Sequence, residues 1–259
     1  MRRILIIIIP TGCLAAILVG VAAIVLYNYF FIPRPPVRWE TEPNALVFEA
    51  DLCCGMAYNP NGIPTARLWG DGRLIWTQYD NDHIRQVRVA SLTPAEMKTF
   101  LQSFVDAGFF GWQANYAPVE TVYDAPSTCM RLYLTEASKS VCEIFDTAPS
   151  EFSRLYAQVS NGAGFSGNNY RPSTGYLTAT LQTYTAPPLP TVDLYWPVDS
   201  LGFSLAQATG GRWVEGEALE LAWRFINGHP NGGVIQDGPN YYGIVLLISE
   251  VTRQQPPPP

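Results

Sequence analysis

Apolar residues are distributed along this chain in three ways, and each predicts a different kind of element. The first is an unbroken run. Residues 4–31, which open on Ile4 and close on Phe31, carry no formal charge and are mostly Ile, Leu, Val and Ala. About 20 apolar residues in helical form cross a bilayer core, so this run predicts one transmembrane helix with the lipid bilayer as its partner. Tyr27, Tyr29, Phe30 and Phe31 at its far end suit the headgroup level. In a cleaved signal peptide a shorter apolar stretch leads through small residues into polar sequence. Here Val21, Ala22 and Ala23 lead into more apolar chain, which predicts an uncleaved signal anchor. Gly12 before Cys13 echoes a lipoprotein cleavage site, but Pro10 stands where Leu is expected and the apolar run continues, so Cys13 reads as a membrane-facing cysteine.

The second pattern is alternation with period two, the mark of strands with one buried face. It predicts strands at 45–53, 65–69, 74–79, 129–135, 140–145 and 176–184. Gly70, Asp71, Gly72 and Arg73 join the second and third of these in a hairpin, with Asp-Gly suited to a type I′ turn. Glu136, Ala137, Ser138 and Lys139 make the polar turn of a second hairpin.

The third pattern is the helical stripe. Met97, Phe100, Leu101, Phe104 and Val105 share one face behind a Thr93–Glu96 capping box with Pro94 at the first helical position, Leu92 as a staple and Gly108 as the stop. Phe152, Leu155, Tyr156 and Val159 form a second stripe ended by Asn161 and Gly162. Leu219, Ala222, Trp223 and Ile226 form a third ahead of Gly228, between a strand at 192–196 and a buried-type strand at 244–248.

These elements predict an α+β fold in several parts. A cytoplasmic stub (1–3) precedes the transmembrane helix (4–31), and Pro33, Pro35 and Pro36 stiffen a spacer (32–44). An antiparallel sheet with packed helices occupies 45–185. A proline-rich linker (186–190) leads to a smaller α+β unit (191–253) and a proline-rich tail (254–259).

Charge adds orientation and removes one class of partner. Arg2 and Arg3 before the anchor are balanced by Arg34 and Arg38 after it. The 22 prolines, 21 glycines and two lysines, Lys98 and Lys139, have the balance of an exported domain. The expected orientation is therefore N-terminus inside, bulk of the chain outside. A net charge of −6 without a basic run argues against nucleic acid, whose phosphates need clustered cations.

Candidate chemistry is sparse. Cys53, Cys54, Cys129 and Cys142 lack zinc or dithiol spacing and read as disulfide candidates in an oxidising compartment. A bridge from the first strand region to the second hairpin is the expected arrangement, and a soft-metal or redox site at Cys53 and Cys54 is the alternative. Trp69, Trp76, Trp112, Tyr116 and Tyr123 are candidates for a stacking platform, with core packing as the plainer reading. His83 and His229 are the only histidines, which limits nucleophile–base pairs. Asp80, Asn81, Asp82 and His83 read as a turn, lacking the spaced carboxylates of a calcium loop. Gly164, Phe165, Ser166 and Gly167 fall one residue short of a nucleophile elbow. No motif for a cofactor is present.

One resemblance runs along the first unit. Cys53, Cys54 and Gly55, the Gly70-Asp71-Gly72 hairpin, Leu92-Thr93, Gly108-Phe109-Phe110, and Asp124-Ala125-Pro126-Ser127 together resemble an uncharacterised bacterial family of exported domains over residues 45–162. The resemblance implies an α+β fold and brings no activity or catalytic residue. The expected function is a membrane-anchored extracytoplasmic interaction module or accessory subunit with a protein partner and no catalysis. A small-ligand or glycan binder is the alternative, and an unrecognised hydrolase or thiol/metal site working through His83, His229 or Cys53 ranks behind it.

Overall fold

The computed structural model describes residues 19–21, 35–53 (for Cys53 the backbone), 59–120, 122–184 and 189–258. The expected transmembrane segment lies outside them apart from residues 19–21, which are helical. Among the described residues no helix is long and apolar enough to cross a membrane. Most of the expected linker also lies outside them.

The fold is α+β with two sheets. In the first, β1 (Leu46–Cys53), β2 (Ala66–Trp69), β3 (Arg73–Tyr79) and β4 (Arg85–Ser91) follow one another antiparallel. The edge strand β5 (Asn115–Tyr116) lies parallel to the end of β7 (Ala137–Glu143), and β6 (Ser127–Leu134) pairs with both β7 and β1. With the short β8 (Asn168–Asn169) on β4, the order is β5-β7-β6-β1-β2-β3-β4-β8.

The second sheet holds β9 (Gly175–Gln182), β10 (Leu194–Tyr195), β11 (Arg212–Val214), β12 (Ile235–Asp237) and β13 (Asn240–Leu247), in the order β10-β12-β13-β9-β11. The strand expected at 176–184 is therefore present, but it does not complete the first unit. It pairs with β13 from Tyr176 to Gln182 and with β11 at its start. Backbone pairing, not the proline-rich linker, sets the boundary between the sheets.

Local chemistry explains the connections. Thr93 and Glu96 form the reciprocal capping box, with Glu96 Oε2 accepting from the Thr93 N–H at 2.8 Å, and open helix α1 (Pro94–Asp106). Gly108, at φ 80°, ends it. In the first hairpin only Gly72 takes a positive φ, 91°, so the loop is the three-residue form with a glycine bulge rather than the expected I′ turn. The second hairpin is tighter than expected: Leu134 pairs with Ala137 and Leu132 with Lys139, so the expected turn residues Ala137, Ser138 and Lys139 lie in the ladder.

Two cores result, one on each face of the first sheet. Phe48, Leu68, Leu74 and Leu132 pack against Leu101 and Phe104 of α1 and Phe152 and Leu155 of helix α2 (Ser150–Ser160). On the opposite face Ile75 and Val87 join Leu177 and Leu246 of the second sheet. Helix α3 (Val198–Leu201) adds partly buried Val198 and Leu201, and helix α4 (Gly216–Gly228) adds Leu219 and Ala222. This second core contains side chains of both sheets, so the two units are joined through common apolar burial.

The Cys129–Cys142 pair sits directly across β6 and β7 and is disulfide-bonded. The expected bridge from the first strand region to this hairpin is thus replaced by one within the hairpin, because register brings the two cysteines to a Cα separation of 4.1 Å. Cys54 and the side chain of Cys53 lie outside the described residues.

The near-match to a nucleophile elbow has a packing role. Gly162 and Gly167 lie against the indole of Trp76, which is 2 % exposed, and a Cβ on Gly167 would stand 2.1 Å from the ring. Gly167→Ala should therefore destabilise the protein by about 1–3 kcal/mol through overpacking. Trp76→Phe in the same chain should relieve most of that increment. Urea denaturation of the four members of this cycle measures it, and an additive cycle would refute the contact.

Candidate functional site

The face of β1, β2 and β6 turned away from the helices is charged. Strand alternation puts Phe48 and Ala50 on the helix side and Glu49 and Asp51 on the other, where Arg67 and Arg131 come up beside them across the ladders. Arg67 donates to Glu49 Oε2 through Nε and Nη2 at 2.9 and 2.6 Å, and through Nη1 to the Thr252 carbonyl at 2.6 Å. Arg131 holds the second oxygen of Glu49. Arg253 pairs with Asp51, which is 1 % exposed.

The residues after β13 thus form a strap across these charges. Thr252 is fixed inside it, its hydroxyl donating to the Ile248 carbonyl at 2.9 Å and accepting from the Ile248 N–H at 3.1 Å. Arg73 with Glu250, and Asn61 Oδ1 accepting from the Leu246 N–H at 3.0 Å, add further links between the sheets. Gln255 folds back onto Thr252 and Glu250, so the expected solvated tail is attached as far as that residue. Burial pushes the Asp51 carboxyl above its usual range, with Arg253 acting against it.

Where the strap ends, a cleft of about 630 Å³ opens between the units. Its walls include Asp51, Gln78, Arg85 and the hydrogen-bonded Thr65–Tyr156 pair, 2.8 Å between hydroxyls, and Leu52 and Tyr79 contribute exposed apolar surface. Asn59 donates to the Ile63 carbonyl at 2.9 Å, while its buried Oδ1 has no partner among the described residues. The lining offers hydrogen-bond donors and acceptors and includes no histidine or cysteine among the described residues. Such a site can hold a polar group.

The aromatic candidates do not form a shared platform. Trp69 is buried in the core between the sheets and Trp76 in the core under the helices, on opposite faces of the first sheet. Trp112 packs edge-on against Phe109, and Tyr116 lies against the helix-side core with its hydroxyl accepting from the Gln113 N–H at 3.0 Å. Tyr123, 85 % exposed, is the one presented to solvent. Strand alternation separates the first two, because they lie on neighbouring strands with opposite facing.

The remaining candidates have structural partners. Asp80 Oδ1 accepts from the N–H groups of Asp82 and Ile84 at 3.0 and 2.9 Å, closing the turn that carries His83 at φ 60°. His229 stacks on Phe225 at 4.6 Å, with Nδ1 3.1 Å from the Phe225 carbonyl oxygen. Among the described residues no group of three or more His, Cys, Asp and Glu side chains is placed to hold a metal ion. Glu49, Asp51, Arg67, Arg85 and Arg253 were not singled out from sequence; the available signal was charge at alternate positions of apolar strands, which on its own reads as a solvated face. The chain matches no protein-family model, no curated protein and no solved structure.

Arg67→Met should cost about 3 kcal/mol in urea denaturation, since it strips a buried carboxylate of one partner. Arg38→Met, which removes an exposed pair to Glu136, should cost less than about 1 kcal/mol; equal losses would refute the distinction. Asp51 supplies a pH test. A carboxyl whose pKa rises on folding keeps its proton better in the folded state, so its contribution declines as pH climbs above about 4 towards the raised value. Asp51→Asn should flatten that decline in stability measured across the acidic range, and an unchanged or steeper slope would count against it.

Proposed function

We propose that the protein is a membrane-tethered binding module of the cell envelope. Residues 4–31 anchor it as a single-pass helix with the N-terminus in the cytoplasm, and the α+β region stands outside and engages a protein partner without chemistry of its own. The observation that carries this reading is the polarity of the first sheet. The spacer enters at the end where the Arg38 carbonyl accepts from the Thr135 N–H at 2.8 Å and the Trp39 indole donates to the Gly70 carbonyl at 3.3 Å. From there β1 runs about 25 Å to the opposite end. At that end Leu52, Tyr79, Tyr123 and Phe145 are exposed.

A domain tethered through its spacer holds these side chains away from the bilayer. Exposed aromatic and aliphatic groups of this kind are what a partner's surface buries. The Cys129–Cys142 bridge suits an oxidising compartment outside the cytoplasm. A binding role is preferred to a catalytic one because the buried carboxylates among the described residues have structural partners: Glu49 and Asp51 meet arginines, and Glu143 and Asp237 accept from the backbone N–H groups of Ala148 and Leu205.

Two positions on the full chain test the reading in cells. A photo-crosslinking residue at Tyr123 should trap a protein adduct, and the same residue at Glu136, beside the spacer, should not. A cysteine replacing Tyr123 should react with a membrane-impermeant maleimide before lysis. Adducts from Glu136 alone, or labelling only after lysis, would overturn the partner-facing end or the orientation respectively.

A further inference from the structure

Among the described residues the arginines of this acidic chain fall into two groups. Arg38, Arg67, Arg73, Arg131, Arg154 and Arg253 each meet a carboxylate. Arg85, Arg88, Arg171, Arg212 and Arg224 meet none among the described residues, and three of these, Arg85, Arg171 and Arg224, line one cleft. They reach it from three separate elements: Arg85 from the start of β4, Arg171 from the segment after β8, and Arg224 from α4.

Arg85 is the unusual member. It is 3 % exposed, and its Nε and Nη2 donate only to neutral acceptors, Asn227 Oδ1 at 2.9 Å and the Ile226 carbonyl at 3.0 Å. Burying a cation without a counter-charge costs several kcal/mol. Burial accordingly lowers its pKa from the usual arginine value, with Tyr79 acting in the opposite sense. Elsewhere the same fold covers its buried arginine, Arg67, with a carboxylate. The exception stands at a cleft, where an incoming anion can supply what the chain does not.

The rest of the cleft adds shape. Its volume is about 470 Å³, within the range of small-molecule sites. Leu219 and Trp223, four residues apart on α4, give the helix wall its apolar part, and Tyr170 meets Trp223 edge-to-face at 6.0 Å. Among the described residues Glu220 is the only acid in the lining. A flat apolar group against Trp223 and Tyr170 would leave its charged end among the guanidinium groups.

We infer that this cleft is a binding site for a small oxyanion, a carboxylate or phosphate carried on a flat apolar body, held by Arg85, Arg171 and Arg224. Guanidinium forks match both oxyanions in two-point geometry. Arg85, anchored by Asn227 and the end of α4, provides the fixed donor; the exposed Arg171 and Arg224 close on the ligand from the rim. The site rests on different residues from the partner-facing end of the sheet, so either can fail alone.

The test uses the full chain in an uncharged detergent, titrated with phenyl phosphate, benzoate and, as an uncharged control, benzyl alcohol. Tryptophan fluorescence and calorimetry should report saturable binding of an anion, weaker at high salt, and none of the alcohol. Arg171→Ala with Arg224→Ala changes only exposed side chains; it should leave the melting temperature in place and weaken binding tenfold or more. Arg85→Gln, checked for folding by circular dichroism, should abolish it. Three results would overturn the inference: no saturable response to either anion, equal binding of benzyl alcohol, or affinity untouched by the double variant. A response to phosphatidylglycerol added to the micelles without one to phenyl phosphate would also overturn it, in favour of a lipid surface.

Discussion

The structure depends on the need to neutralise two carboxylates, Glu49 and Asp51, that strand alternation directs into a buried face. A carboxylate without partners at that depth would be prohibitively costly. Arg67 and Arg131 satisfy Glu49 from neighbouring strands, but Asp51 takes its partner, Arg253, from 202 positions along the chain. The strap is therefore a consequence of electrostatics as much as of apolar burial. Once Thr252 and Arg253 are seated, the second sheet has little freedom to rotate on the first.

That constraint also places the clefts. Apolar side chains at Ile75 and Val87 bind the second unit over β3 and β4, while the strap covers β1 and β2. The two coverings leave openings beside Arg85, one on either side of the start of β4. The glycine-rich turn around Gly162 and Gly167 closes the opposite face over Trp76. Packing thus fills the centre of the molecule and leaves clefts beside the start of β4.

Legibility from sequence followed the range of the interaction. The capping box at Thr93 and the stripe from Met97 to Val105 depend on neighbours within one or two helical turns, and both elements formed where their residues indicated. The second hairpin was legible as a hairpin, yet its turn lies earlier because Ala137, Ser138 and Lys139 pair with β6. Membership of β9 was not legible: alternation of Leu177, Ala179 and Leu181 predicts a half-buried strand but is silent on which sheet receives it. The charged face was misleading for the same reason. Glu49 and Asp51 look solvated until a segment 200 residues distant is known to cover them. Among the site candidates, the aromatic platform dissolved because Trp69 and Trp76 face opposite sides of one sheet.

The strap also bears on how the chain acquires its fold. Synthesis delivers Asp51 of β1 202 positions before Arg253, so the ionic face of the first sheet waits, incomplete, through that interval. Contacts this far apart in sequence slow folding, since loop closure precedes their reward. During that interval the helix-side core, whose elements lie between residues 46 and 160, is the part able to condense first. The molecule is built as a half that can wait and a half that locks it.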